Sequence, residues 1–129
     1  MPRAGPRLHP CLPVPAAERR RLATAAHLAL AAMLADEAQA AWVDLPAAVA
    51  VAAAVLDKLT AHEDARQAID RAADALVATA GLSTPSDEAK AACSAFLPYY
   101  EAILATVTWR RLIEAQRLTD AAWRAHAGQ

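Results

Sequence analysis

Residues 65–93 read ARQAIDRAADALVATAGLSTPSDEAKAAC. Ala65, Ile69, Ala72, Ala73, Leu76 and Ala80 recur at helical spacing and share one face, while Asp70, Arg71 and Asp74 fall outside it. Gly81 then stops the helix, because glycine tolerates the left-handed conformation that ends one. Ser83-Thr84-Pro85-Ser86-Asp87-Glu88 supplies a capping hydroxyl, an early proline and acids for a first turn, so a new helix starts at once. A helix, a short stop and a second helix fit a helical bundle.

Upstream, the same spacing predicts a helix from about Ala16 to Trp42, with Leu22, Ala26, Ala29, Leu30, Met33 and Ala40 on its apolar face. His27 and Leu34 lie on the flank. Asp44-Leu45-Pro46 reads as a break and a restart, with Asp44 able to cap and Pro46 tolerated in a first turn. The second helix runs to about Ala61, its face being Leu45, Val49, Ala52, Leu56 and Leu59. Val51 lies opposite, beside Ala50 and Ala54, so this helix is apolar nearly all round. That marks a central or interface helix. His62-Glu63-Asp64 is a polar interruption, either a turn or the polar middle of one longer helix.

Downstream, Pro98 predicts a bend or short break near Phe96–Pro98, since proline removes a helical hydrogen bond. A last helix then runs to about His126. Its main face holds Leu97, Tyr100, Leu104, Val107, Leu112, Ala115, Leu118, Ala122 and Trp123, while Trp109 and Ile113 lie on the other side. Two apolar faces imply two covers: the bundle itself and something else, such as another subunit. Arg111 interrupts the main stripe, with Glu101 near its edge. A buried Arg is costly unpaired, so it should meet an acid such as Glu101, Asp36 or Glu37, or mark an interface.

Composition supports the helical reading. The chain has 38 alanines and three glycines among 129 residues, and alanine has the best helix propensity. The expected fold is all-α: a four- to five-helix bundle over residues 16–129, behind a flexible Pro-rich arm at residues 1–15. Alanine buries little, about 0.8 kcal/mol less for each CH₂ removed. Close helix approach or self-association, as a dimer, is the expected remedy. The arm carries Arg7-x-x-Pro10-x-x-Pro13, the form of an SH3 ligand, set against the plainer reading of an unstructured leader. The Ala and Arg bias points to a GC-rich bacterial genome.

Charge and motif spacing exclude several chemistries. The net charge is −1, whereas a nucleic-acid binder usually carries a basic excess. Cys11 and Cys93 form no CxxC pair, which suits a reducing, cytoplasmic setting. No Glu-x-x-His occurs, and His9, His27, His62 and His126 lie in separate segments, so no metal and no cofactor is expected. No membrane span is expected either: the longest helical run without a charged residue is Leu22 to Ala35. Prolines interrupt any signal-peptide core at the start. No Gly-rich phosphate loop and no Gly-x-Ser-x-Gly elbow is present.

Two features leave room for nucleic acid. Arg21-Leu22-Ala23-Thr24-Ala25-Ala26-His27 resembles, over these seven residues, the Arg-x(4–6)-His motif of HEPN-domain ribonucleases, which are dimeric helical bundles. The resemblance implies that Arg21 would hold a phosphate and His27 would act in RNA cleavage. That family places the motif in a late helix with a polar residue after the Arg; here it lies in the first, followed by Leu22. Arg110, Arg111 and Arg117, with Trp109 and Trp123, could also form a patch on which bases stack. The plainer reading is solvated arginines and core tryptophans. The reading that fits most of the sequence is a non-enzymatic adaptor, inhibitor or regulator, meeting another protein through Val51, Trp109, Ile113 and Arg111. The alternative is a nucleic-acid-acting bundle.

Overall fold

A computed structural model describes residues 12–57 and 62–127, with side chains given as far as residue 125. It is all-α: α1 (Ala16–Leu34), α2 (Asp44–Leu56), α3 (Glu63–Thr79), α4 (Asp87–Thr106) and α5 (Trp109–Ala127), with a 3₁₀ turn at Gln39–Trp42. The one β contact among the described residues is an isolated bridge between Pro13 and Thr108. The expected ends of the second helix, Leu59 and Ala61, lie outside the described residues.

The first helix stops eight residues before the expected point. Asp36 adopts a left-handed backbone (φ 59°), and the amides of Asp36 and Glu37 bond back to Met33 O and Ala32 O, both at 3.0 Å. This is a Schellman ending with Asp where glycine is usual. Lys90 of α4 holds the Asp36 carboxylate at 2.6 Å, and the Trp42 indole donates to Glu37 O at 3.0 Å. The polar His62-Glu63-Asp64 segment proves to be a start, with Glu63 and Asp64 in the first turn of α3. Of the hydroxyls offered by Ser83, Thr84 and Ser86, it is Ser86, after Pro85, that caps α4, accepting from the Ala89 amide at 3.1 Å.

The expected break at Pro98 is not there. Pro98 sits inside α4, and the chain breaks instead at Val107–Thr108. Pro98 and Ser94 are both exposed one turn apart, so the carbonyl that Pro98 cannot satisfy faces water. At the true break Val107 is extended, and the Thr108 hydroxyl accepts from the Arg111 amide at 3.2 Å, capping α5.

Helices α1 to α4 form the bundle. α4 packs against α1, α2 and α3, and α2 against α1, α3 and α4. Phe96, Met33, Leu45 and Leu104 are sealed at its centre, and Phe96 stacks on Tyr100 with ring centroids 5.6 Å apart. α5 rests chiefly on α2, so α2 is covered from two sides by its own chain. The end of the N-terminal arm is pinned at the α4–α5 corner: Val14 is buried, and the Trp109 amide donates to Leu12 O at 2.8 Å.

The run Gln39–Leu56 is long and apolar enough, by length and composition, to cross a membrane, which the charge-based reading passed over. In the fold it is not one helix. α2 has 13 residues, about 20 Å at 1.5 Å per residue, against the roughly 30 Å of a bilayer core.

Candidate functional site

The carbonyls in the last turn of a helix lack partners further along it, and the helix dipole makes that end negative. Two arginines meet this need at the end of α2. Arg111 of α5 donates through Nη2 to Ala54 O (2.8 Å) and Val55 O (3.2 Å). Arg66 of α3 donates to Leu56 O at 2.7 Å. Arg111 also faces Glu114 at 3.5 Å, one turn along its own helix. The acid it meets is therefore Glu114 rather than Glu101, Asp36 or Glu37, and backbone carbonyls supply its closer contacts. Its side chain is 19% exposed, so it joins α5 to α2 as a half-buried clamp.

The start of α5 thus meets the end of α2. Leu112 and Ala115 are fully buried on this seam. Val51 and Trp109 are half-buried against the core, and Ile113 is half-buried. Of the four residues expected at an interface, Arg111 demonstrably bridges α2 and α5 within one chain. Past Gln116 the burial falls away, Thr119 alone being half-buried among the residues whose exposure is described: Leu118 is 57% and Trp123 70% exposed, and Ala121, Ala122 and Ala125 are exposed as well. Arg117, Asp120 and Arg124 lie on the other side of the helix by their spacing. The distal half of α5 is thus an amphipathic helix whose apolar side has no cover from the described residues.

Beside the α2 terminus lies an open groove of about 760 Å³. Val55, Leu56, Ile103 and Val107 form its apolar wall, with His62 and Arg111 at the edge. The Arg111 guanidinium is already committed to carbonyls, so it reaches into the groove with no free donor pair for a carboxylate or phosphate.

Arg21 and His27 stand apart. Arg21 is ion-paired with Glu18, which holds the Glu18 carboxyl below its ordinary range and the guanidinium above its own. His27 bonds through Nε2 to Glu101 Oε1 of α4 at 2.7 Å and is exposed. Six residues along one helix set the two side chains about 120° apart. Arg110 and Arg117 are exposed, and Arg110 shares Glu114 with Arg111 at 3.5 Å, so the basic cluster is split between solvent and seam. No group of three or more His, Cys, Asp and Glu able to hold a metal occurs among the described residues. Cys93 is buried as a free thiol, and burial pushes its pKa up to about 11. Burial likewise raises the Tyr100 phenol to about 12. Neither is poised as a nucleophile or base near neutral pH. Cys11, His9, Arg7 and Pro10 lie outside the described residues; Pro13 faces Thr108.

The sequence reading missed the Lys90–Asp36 pair, the Arg66 cap and the His27–Glu101 bond. Each joins residues from different elements, and spacing along one helix carries no signal for that. No protein-family model, no curated protein and no solved structure matches this chain.

Proposed function

We propose that this chain is a non-enzymatic interaction protein, an adaptor, inhibitor or regulator, that engages another protein through the distal half of α5. One observation carries the reading. The apolar side of α5, buried at Leu112 and Ala115, continues through Ala122 and Trp123 with Leu118 at its edge, and there it is bare. An amphipathic helix with its charges turned away fits the groove or helix face of a protein partner. Trp is also the residue type most often found to dominate such contacts. The reading retains the cytoplasmic, reducing setting expected from the sequence.

The test is capture of partners from the native cells by tagged chain, with and without nuclease, beside a Leu118→Ser/Trp123→Ala variant. The expected result is a partner protein that survives nuclease and is lost from the variant. Since both residues are mostly exposed, the variant should keep the wild-type helical spectrum and melting point. Capture that vanishes with nuclease, and is weakened by Arg110→Ala and Arg117→Ala instead, would replace this reading with the nucleic-acid one.

A further inference from the structure

We infer that α5 is an exchangeable helix, and that its site on α2 also accepts α5 from a second copy of the chain. The inference goes beyond the interaction-protein reading, because it concerns the proximal half of α5, at Arg111, Leu112 and Ala115, and not the bare distal half.

Three observations support it. First, α1, α2, α3 and α4 each pack against at least two other helices, whereas α5 rests chiefly on α2. Among its residues whose exposure is described, it buries only Leu112 and Ala115 completely. A helix held by one neighbour is the first to open, since local stability follows local burial. Second, the connection from α4 to α5 is two residues, Val107 and Thr108, and Val107 is already extended (φ −70°, ψ 148°). A connection this short leaves α5 little slack, and short hinges are where exchange between copies is invited. Third, the occupant of the site is fixed by the chain's own chemistry. Detached, α5 would bare its seam on α2 and the carbonyls of Ala54 and Val55, and the segment that covers those carbonyls carries Arg111, beside the buried Leu112 and Ala115.

In an exchanged pair every α2–α5 contact is remade between chains, so exchange forfeits none of that burial. It also sets two bundles side by side across the hinges. The site would be composite, with α2 from one copy and α5 from the other. The clasp of Leu12–Val14 on Thr108 and Trp109 sits at the same hinge, so it opposes opening.

The experiment mixes two populations of the full chain, distinguished by small C-terminal tags, and follows mass by light scattering and mixed pairs by tag capture. Copies are mixed in the folded state and after joint refolding. The expected results are a dimer that grows with concentration, mixed pairs that form slowly when folded and fully after refolding, and loss of most of the dimer when a Gly/Ser linker is inserted between Val107 and Thr108. Arg111→Ala should speed exchange while leaving the dimer fraction nearly unchanged, because closed and exchanged forms lose the same contact. A chain monomeric throughout, including after refolding, would overturn the inference. So would a dimer indifferent to the linker, which would mean that copies pair by surfaces without exchange. Neither result touches the capture test of the proposed function.

Discussion

Arg111 occupies a position where an apolar residue would fit the stripe, and it stays because α2 ends beside it. Two hydrogen bonds from a guanidinium to helix-end carbonyls are charge-assisted, and a half-buried setting shields them from water. Removing the side chain loses those bonds and leaves the carbonyls of Ala54 and Val55 without them. Arg111→Ala should therefore lower unfolding stability by about 2 kcal/mol, the usual scale for bonds to a charged group. Urea unfolding followed by helical signal measures it. Arg71→Ala is the control. Its pair with Glu88 is exposed on both sides, and water screens such a pair so that it contributes little. Equal losses in the two variants would show that the clamp on α2 has no special value.

At the scale of the element, Pro98 is the informative case. It lies mid-helix, where it deletes one backbone bond, yet α4 continues because the orphaned carbonyl of Ser94 is on the wet side. Pro98→Ala restores the missing donor and raises the freedom of the unfolded chain. The first effect reaches about 3 kcal/mol and the second returns up to about 1. A net gain of about 2 kcal/mol is expected, read as a higher melting temperature. A loss of stability would mean that α4 needs Pro98 for its shape. The same residue explains what was legible in the sequence. Helix faces and the cap that starts α4 are local, and periodicity or a single residue type announces them; α3 does end beside Gly81, at Thr79, but Gly81 has no positive φ, so the left-handed ending expected of it is not what stops the helix. The end of α1 at Asp36 is not local in that sense. Neither Gly nor Pro marks it, and Asp is held in the left-handed turn by a lysine 54 positions away. The break at Val107–Thr108 had a capping Thr, but the stronger proline signal nine residues earlier drew the reading to the wrong place. Arg111 was singled out from the stripe it interrupts, while its partners were out of reach because carbonyls leave no mark in a sequence.

At the scale of the whole molecule, the chain is a bundle plus one added helix that does two jobs along its length. The first two turns of α5 belong to the fold: Leu112 and Ala115 are sealed against α2, and Arg111 fixes the register. Beyond Gln116 only Thr119 is even half-buried among the residues whose exposure is described. Ending the chain after Arg117 therefore removes almost no burial. Area accounting at about 25 cal/mol per Å² puts the loss below roughly 1 kcal/mol, most of it from Thr119 and the stem of Leu118. The truncated chain should melt within a few degrees of the full one and keep its helical content per residue. It should also lose the protein partner captured by the full chain, since Leu118 and Trp123 are gone. Ending the chain after Thr108 is a different operation. It strips the seam, bares Val51 and the end of α2, and should give a chain that aggregates or unfolds, because an apolar strip along α2 is then open to solvent. If the shorter cut, after Arg117, already cost several kcal/mol, the distal half of α5 would have to be packed against the fold. The case for a partner on that face would then be lost.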